Sequence, residues 1–415
     1  MFGRLSKQLD VDIIMLTFTQ AEHDLLAQAT AVRETEVVSL QQALGRVLAE
    51  PCFSSLSVPP ADNSAMDGYV LRCQDWQASD CVLPISQRIP AGESPQALSP
   101  GTVARIFTGA MIPEGADAVI MQEKAQLEGD GVCFSEAPKM GENIRRVGED
   151  ISSGDEILSV GQRLRPQDIG LAASVSLSEL TVYRPLKVAI FSTGDELTEP
   201  GEPLLTGHIY NSNRYVLISL LQSMGCTVVD LGRVEDSLEA TMKTLEAASQ
   251  DTDVVITTGG VSVGEEDYVK EAVESLGQLN LWRVAIKPGK PLAFGRIGDA
   301  LFLGLPGNPV SAFVTFCVLG RSLLLKMQGV RDTGLPLMSA VAGFDWLRPG
   351  KRQEYVRVRM QTDNQGAQQL QIFPHQGSGV LTSTVWAEGL AVIPIDRVIR
   401  VGDNIDWLPF SGLLA

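Results

Sequence analysis

The chain has 415 residues, which at about 150 residues per domain excludes a single small module. Its 44% hydrophobic and 20% charged residues are the balance of a globular protein with more than one buried core. The 33 basic and 50 acidic residues leave a net charge of −17, which argues against a general nucleic-acid binder and against docking on an anionic membrane.

In chain order, Thr19–Ala29 and Ser39–Glu50 read as helices. The second rests on Leu40, Ala43, Leu44, Val47 and Leu48 at helical spacing, with Pro51 ending it. Residues 55–148 alternate short β-rich runs with IPAGESP, GAMIPEGAD and LEGDG turns, the pattern of strands and loops. RPQDIGLAASV predicts a helix with Pro166 near its start.

From Lys187 strands and helices alternate. KVAIFSTG, TVVDLGRV, DVVITTGG, LWRVAI, PLAFGRI and ALFLGLPG read as strands. Helices follow at Asn211–Met224, with Gly225 as its C-terminal cap, from Ser237 to about Ser249, and at Glu265–Leu276. Asn308 and Pro309 open a last helix to about Met327, apolar almost all round, which predicts a core or subunit-interface position. Such β–α units imply a mostly parallel sheet. Residues 331–415 return to strands. In EYVRVRM, Val356, Val358 and Met360 alternate with Arg357 and Arg359.

The cysteines, Cys52, Cys73, Cys81, Cys133, Cys226 and Cys317, form no C-x-x-C pair, and with three histidines they make a Cys/His zinc site a poor expectation. Cys226 and Cys317 lie in apolar runs and read as buried thiols. No secretory signal or membrane span is legible, so a cytoplasmic location is expected. The segment before Met15 reads as a disordered leader, or Met15 as the true start.

In an open α/β sheet, ligands bind beyond the carboxyl ends of the strands. Four motifs fall there. FSTGDEL places Thr193, Asp195 and Glu196. TTGGVSVGEEDY places Gly259, Gly260, Ser262 and Gly264 in a turn whose N–H groups suit a phosphate, with Asp267 beyond it. IKPGKP holds Lys287 and Lys290 in a loop stiffened by proline and glycine. LPGNPVS holds Pro306, Asn308 and Pro309. Taken singly, each has an ordinary structural reading: a helix-dipole charge, a solvated turn, a helix start. DNSAMDGY (Asp67), GEDISSGDEI (Glu149, Asp150) and HQGSG (His375, Ser378) are polar loops outside the α/β region, and no G-x-S-x-G elbow accompanies them.

Charge is uneven: residues 1–184 carry 14 basic and 25 acidic residues, 185–330 carry 11 and 17, and 331–415 carry 8 and 8. Basic residues bunch at Arg283, Lys287, Lys290 and Arg296, where an anion is expected. They bunch again at Arg348, Lys351, Arg352, Arg357 and Arg359.

DNSAMDGYV, FTGAMIPEGADAVIMQE, NIRRVGEDI, FSTGDEL, ITTGGVSVGEEDYV, IKPGKPLAFG and LPGNPVSAF occur together in one order. The combination resembles the molybdopterin molybdenumtransferase family, the bacterial MoeA type also found as the E domain of gephyrin. The resemblance runs from about residue 20 over nearly the whole chain. DNSAMDGY separates this family from its smaller adenylyltransferase relatives.

The resemblance implies an α/β plus β multidomain fold. It comprises a parallel-sheet molybdopterin-binding three-layer α/β domain (185–330), an inserted β-rich domain (56–148) and a C-terminal β-barrel-like domain (331–415). Residues 1–55 with 149–184 would form a discontinuous helical linker domain. The implied activity inserts molybdenum from molybdate into adenylylated molybdopterin, releasing AMP with Mg²⁺ assistance. The implied assembly is a homodimer with the active site at the subunit interface, and an adenylyltransferase is a possible partner.

Carried over by motif, the catalytic residues are Asp67, Asp150, Glu196, Asp236, Asp267 and Lys287, with Asp236, Asp267 and Glu196 as Mg²⁺ ligands. Asp67 and Asp150 would approach from the partner subunit. Arg283 stands where many members have Lys; charge is kept, but a planar fork replaces a point charge. The rival readings are an ATP-using adenylyltransferase and a non-catalytic scaffold like the anchoring role of gephyrin's E domain. Tungstate is a rival substrate. Arg352, Arg357 and Ser378 are open between ligand contact and packing.

Overall fold

The computed structural model describes residues 15–76, 82–260, 268–363 and 366–414. Ser262, Gly264 and Asp267 lie outside the described residues.

Among the described residues, a seven-stranded sheet forms the centre, in the order Met15–Leu16, Gly277–Val284, Pro291–Ile297, Ala300–Leu305, Val254–Thr258, Lys187–Thr193, Thr227–Val234. The expectation of a mostly parallel sheet needs one correction. Pro291–Ile297 runs antiparallel to both neighbours, and the other pairings are parallel. A tight turn at Gly298, with φ of +56°, leads straight into Ala300–Leu305. A parallel pairing would have needed a long crossover.

The central strands Val254–Thr258 and Ala300–Leu305 are buried throughout, because helices cover both faces. Leu217, Leu221 and the helical run Pro309–Met327 pack on one face. Leu245, Val269 and Val273 pack on the other. The run Pro309–Met327 contains a π turn, Phe316–Gly320. It is long and apolar enough to cross a membrane, yet 89% of its most apolar window is buried inside the protein, so it is a core helix. Asn211 and Ser237 cap their helices through their side chains, accepting from Arg214 and Ala240 N–H groups. Asn308 sits at the cap position of its helix without a side-chain capping bond.

The expected helix Ser39–Glu50 does not form. Thr35–Ser39 is a strand paired with Glu179–Tyr183, and only Leu40–Gln42 makes a short 3₁₀ turn. Gly45 adopts φ of +75°, a left-handed value that stops a helix. Beyond it Leu48 N–H donates to Gln162 O at 3.0 Å and Ala49 N–H to Thr181 O at 2.9 Å. Ala43 and Leu48 still reach a core, with Leu164, Ala172 and Val182. The apolar spacing was real, and pairing across the chain set the backbone.

Residues 63–134 hold a six-stranded sheet among the described residues, from Ala118–Met121 at one edge to Ala125–Glu128 at the other. At the C-terminal end, Gln353–Thr362, Gly389–Ile393, Asn404–Pro409 and Met338–Val341 pair in that order, and Gln368–Ile372 pairs with the first. A bridge from Ala342 to Leu370 links the two ends of this sheet. Its other partner is Ile286–Lys287, which runs parallel to Gln353–Glu354. The lysine loop is thereby tied to the C-terminal sheet.

Arg357 departs from the simple alternation. Val356 and Val358 enter the core as expected, but Arg357 is 1% exposed. Segment 373–383 covers that face and supplies Ser383 Oγ at 3.1 Å and Gly377 O at 3.3 Å as acceptors. Burial pulls the Arg357 pKa down to about 10.

Candidate functional site

Lys187–Thr193 sends its connection towards Thr227–Val234 on one side, while Val254–Thr258, its other neighbour, leads towards Gly277–Val284. The order of strands reverses between these two, and a crevice opens beyond their carboxyl ends. A cleft of about 1010 Å³ lies there. This volume is in the range of small-molecule and cofactor sites.

The cleft floor is glycine-dependent. Gly259 and Gly260 have φ of +86° and +62°. A side chain on Gly260 would strike Val269 Cγ2 at 2.5 Å, so the turn lies tight against the following helix. Gly289, at φ +104°, lets the lysine loop pack on helix Pro309–Thr315; a Cβ there would lie 2.1 Å from Thr315 Oγ1. Opposite, Asn213 Nδ2 donates to Gly307 O at 2.7 Å and fixes the Pro306–Pro309 turn.

Of the residues expected from sequence, Thr193, Glu196, Gly259, Gly260, Lys287, Lys290, Pro306, Asn308 and Pro309 all line this cleft. Arg283 does not. It pairs in register with Pro291, and strand alternation sets it opposite Trp282 and Val284, which pack in the helix-covered core. Arg296 also leaves the expected cluster: at the far end of Pro291–Ile297, its Nη1 donates to Asp299 O at 2.9 Å. The basic bunch at 283–296 is therefore split, because a strand spreads its residues along its length.

Asp236 follows strand Thr227–Val234 but is not among the lining residues. Asp67 and Asp150 are exposed and also lie outside the cleft of this chain. Asp67 accepts the Thr108 N–H and hydroxyl, both at 2.8 Å, and these bonds hold its carboxyl below the usual range. Among the described residues no group of three or more His, Cys, Asp or Glu side chains assembles as a ready metal centre.

Two C-terminal residues that were open are now placed: Arg352 and Ser378 line the cleft, whereas Arg357 is packed beneath it. Arg352 Nη1 donates to Ile286 O at 3.2 Å, and Val310 N–H donates to Ser378 O at 2.9 Å. His375 of the same motif is exposed and does not line the cleft. Among the described lining residues, three cations, Lys287, Lys290 and Arg352, face one carboxylate, Glu196.

Sequence reasoning missed Glu354. Its carboxylate accepts an ion pair from Lys287 Nζ at 2.9 Å, with the glutamate side chain 6% exposed. Its position inside an alternating strand carried no signal for this. It also missed Asn213 and Gln376, which line the cleft.

The geometry, an anion-suited cleft at a strand reversal with a C-terminal sheet closing one wall, has close parallels. Residues 16–176 match the family model of the MoeA N-terminal region (domain I and II). Residues 189–326 match that of the probable molybdopterin binding domain, and 339–410 that of the MoeA C-terminal region (domain IV). The chain is 44% identical over 405 residues to a molybdopterin molybdenumtransferase of Haemophilus influenzae, covering 97% of this chain and 100% of that one. It is 37% identical over 393 residues to one from a Nostoc species, covering 92% and 90%. Among solved structures, the molybdopterin biosynthesis moeA protein of Pyrococcus horikoshii OT3 superposes with a TM-score of 0.82 at 29% identity, over 95% of this chain and 100% of that one. The chain belongs to the MoeA-type molybdopterin molybdenumtransferase family.

Proposed function

We infer that this protein is a molybdopterin molybdenumtransferase, inserting molybdenum from molybdate into adenylylated molybdopterin with release of AMP. The observation that carries the reading is the cationic, glycine-floored cleft at the strand reversal. A pyrophosphate-linked substrate and molybdate are both strongly anionic. Lys287, Lys290 and Arg352 hold their oxygens, and the Gly259–Gly260 turn keeps side chains out of the way of a close approach.

The proposal includes Mg²⁺. This ion is typically held by one or two carboxylates plus substrate phosphates and waters. Glu196 in the cleft wall, and Asp236 at the end of the neighbouring strand, suit that donor set, with Asp267 as the third candidate. The ion supplies charge neutralisation between these carboxylates and the phosphates. The chain's own part is to hold the phosphate oxygens on Lys287 and Lys290 and to present the Glu196 carboxylate in the cleft wall.

The proposal also covers assembly. Asp67 and Asp150 reach the cleft of a partner in a homodimer, which explains why exposed carboxylates carry the family's motif positions. Domain limits at 56–148, 185–330 and 331–415, with 1–55 and 149–184 as one discontinuous unit and the C-terminal unit barrel-like, belong to the same reading. A cytoplasmic location is supported by the free thiols at Cys52, Cys73, Cys226 and Cys317. An adenylyltransferase that supplies the substrate is the proposed partner.

The test is incubation with adenylylated molybdopterin, Mg²⁺ and molybdate. AMP release that depends on molybdate and consumes no ATP is expected. ATP consumption would favour an adenylyltransferase, and no AMP release at all would favour a scaffold. Tungstate competes in the same assay.

A further inference from the structure

A second cavity, of about 690 Å³, lies away from the cleft where three parts of the chain meet. Leu44–Arg46 and Arg163–Pro166 come from the first part. Gln222, Ser223, Gly225, Arg321 and Leu325 come from the helices on the central sheet. Val330, Asp332 and Gly412 close it. It shares no lining residue with the cleft.

Its walls combine two features. Leu164 and Leu325 are buried there, and Leu44, 59% exposed, stands at the rim. Four arginines join them. Arg46 and Arg165 are already matched by Glu36 and Asp168. Arg163 donates to Gly45 O at 3.2 Å and to Ser223 O at 2.9 Å.

Arg321 is different. Among the described residues, its Nη2 reaches only Gly412 O, at 3.4 Å, and its buried Nη1 has no hydrogen-bond partner. Asp332 lies near enough to act on it electrostatically, but its Oδ1 accepts the Gly334 N–H instead. Burial lowers the Arg321 pKa, and the neighbouring Arg163 guanidinium lowers it further. A part-buried guanidinium whose buried Nη1 donor is unused, beside a second guanidinium, is costly to maintain in a folded protein without an anion to meet it.

We propose that this three-way junction is a second binding site, for a small organic anion that places a carboxylate or phosphate against Arg321 and Arg163 and an apolar body on Leu44, Leu164 and Leu325. The site does not depend on the reading of the cleft. Its occupant touches all three parts of the chain, so binding holds them in one relative arrangement.

The experiment uses the full chain and 1-naphthoate, 1-naphthyl phosphate and 1-naphthol as probes, with binding read by calorimetry. The two anions are expected to bind at least ten-fold more tightly than the alcohol. Comparison of the two anions decides between a carboxylate and a phosphate head group. Leu44→Glu, at an exposed rim position, is expected to weaken anion binding at least ten-fold without altering the fold. Arg321→Met is expected to abolish it, and a Lys287→Ala/Lys290→Ala double variant to leave it unchanged. Equal binding of naphthol, no binding of either anion, or loss of binding in the lysine double variant but not in Leu44→Glu would each overturn the proposal.

Discussion

Lys287 and Glu354 are joined across two parts of the fold: the ammonium that faces the cleft is paired at 2.9 Å with a carboxylate that is almost wholly buried. Their backbones are partners in one parallel pairing. The glutamate thus fixes where the cation points. Replacing it with glutamine removes a charge-assisted bond worth about 1.5–3 kcal/mol and frees the lysine. Glu354→Gln is expected to lower kcat/KM roughly ten-fold or more while Lys287→Ala costs about 10²–10³. Steady-state AMP release measures both. Equal, full activity in Glu354→Gln would show that the pair is only structural.

Gly289 lets the lysine loop sit on the helix that begins at Pro309. Its φ of +104° and a prospective Cβ contact of 2.1 Å with Thr315 Oγ1 leave no room for alanine. Gly289→Ala is expected to lower stability by about 1–3 kcal/mol and to lower activity more than stability, because the loop must shift. Chemical denaturation and AMP release on the same sample separate the two effects.

Arg184 grips Asp253 with two bonds of 2.8 Å, and the Lys187 N–H adds a third. Burial pushes the Asp253 carboxyl up, but these donors outweigh it and leave its pKa below the ordinary value. The sign follows: the pair stabilises fully above the unfolded carboxyl value of about 3.9, and the contribution is lost as pH falls through the lower folded value. Asp253→Asn is expected to melt below wild type at neutral pH, with the gap closing in strong acid. A gap of constant size across that range would refute the linkage.

Asp67 is exposed, held by Thr108, and not among the residues that line Lys287's cleft. If two subunits share each site, Asp67→Ala and Lys287→Ala are both inactive alone, yet a mixed dimer regains one intact site. Unfolding and refolding the two variants together is expected to restore measurable AMP release. No recovery in a verified mixed dimer would place both residues in the same subunit's site.

Much of this protein was readable from local pattern. The strand and helix order from Lys187 to Met327, the glycine turn at 259–260 and the stiff lysine loop all appear in the structure, because burial periodicity and turn chemistry are written into neighbouring residues. The site's second half was not. Arg352 reaches the cleft and Glu354 reaches Lys287 only because the C-terminal sheet adds Ile286–Lys287 as a strand.

What the sequence alone determined was therefore the list of local elements, the excluded partner classes and the motif residues of one wall. Tertiary structure decided which charges share that wall. It sent Arg296 to the far end of its strand, turned Arg283 aside and buried Arg357. It also replaced the helix expected at Ser39–Glu50 by pairing with residues 162 and 181. The physical reason is the same in each case. A residue's neighbours in sequence set its conformational preference, but its charge partner and its exposed face depend on strands and loops that meet it from far along the chain.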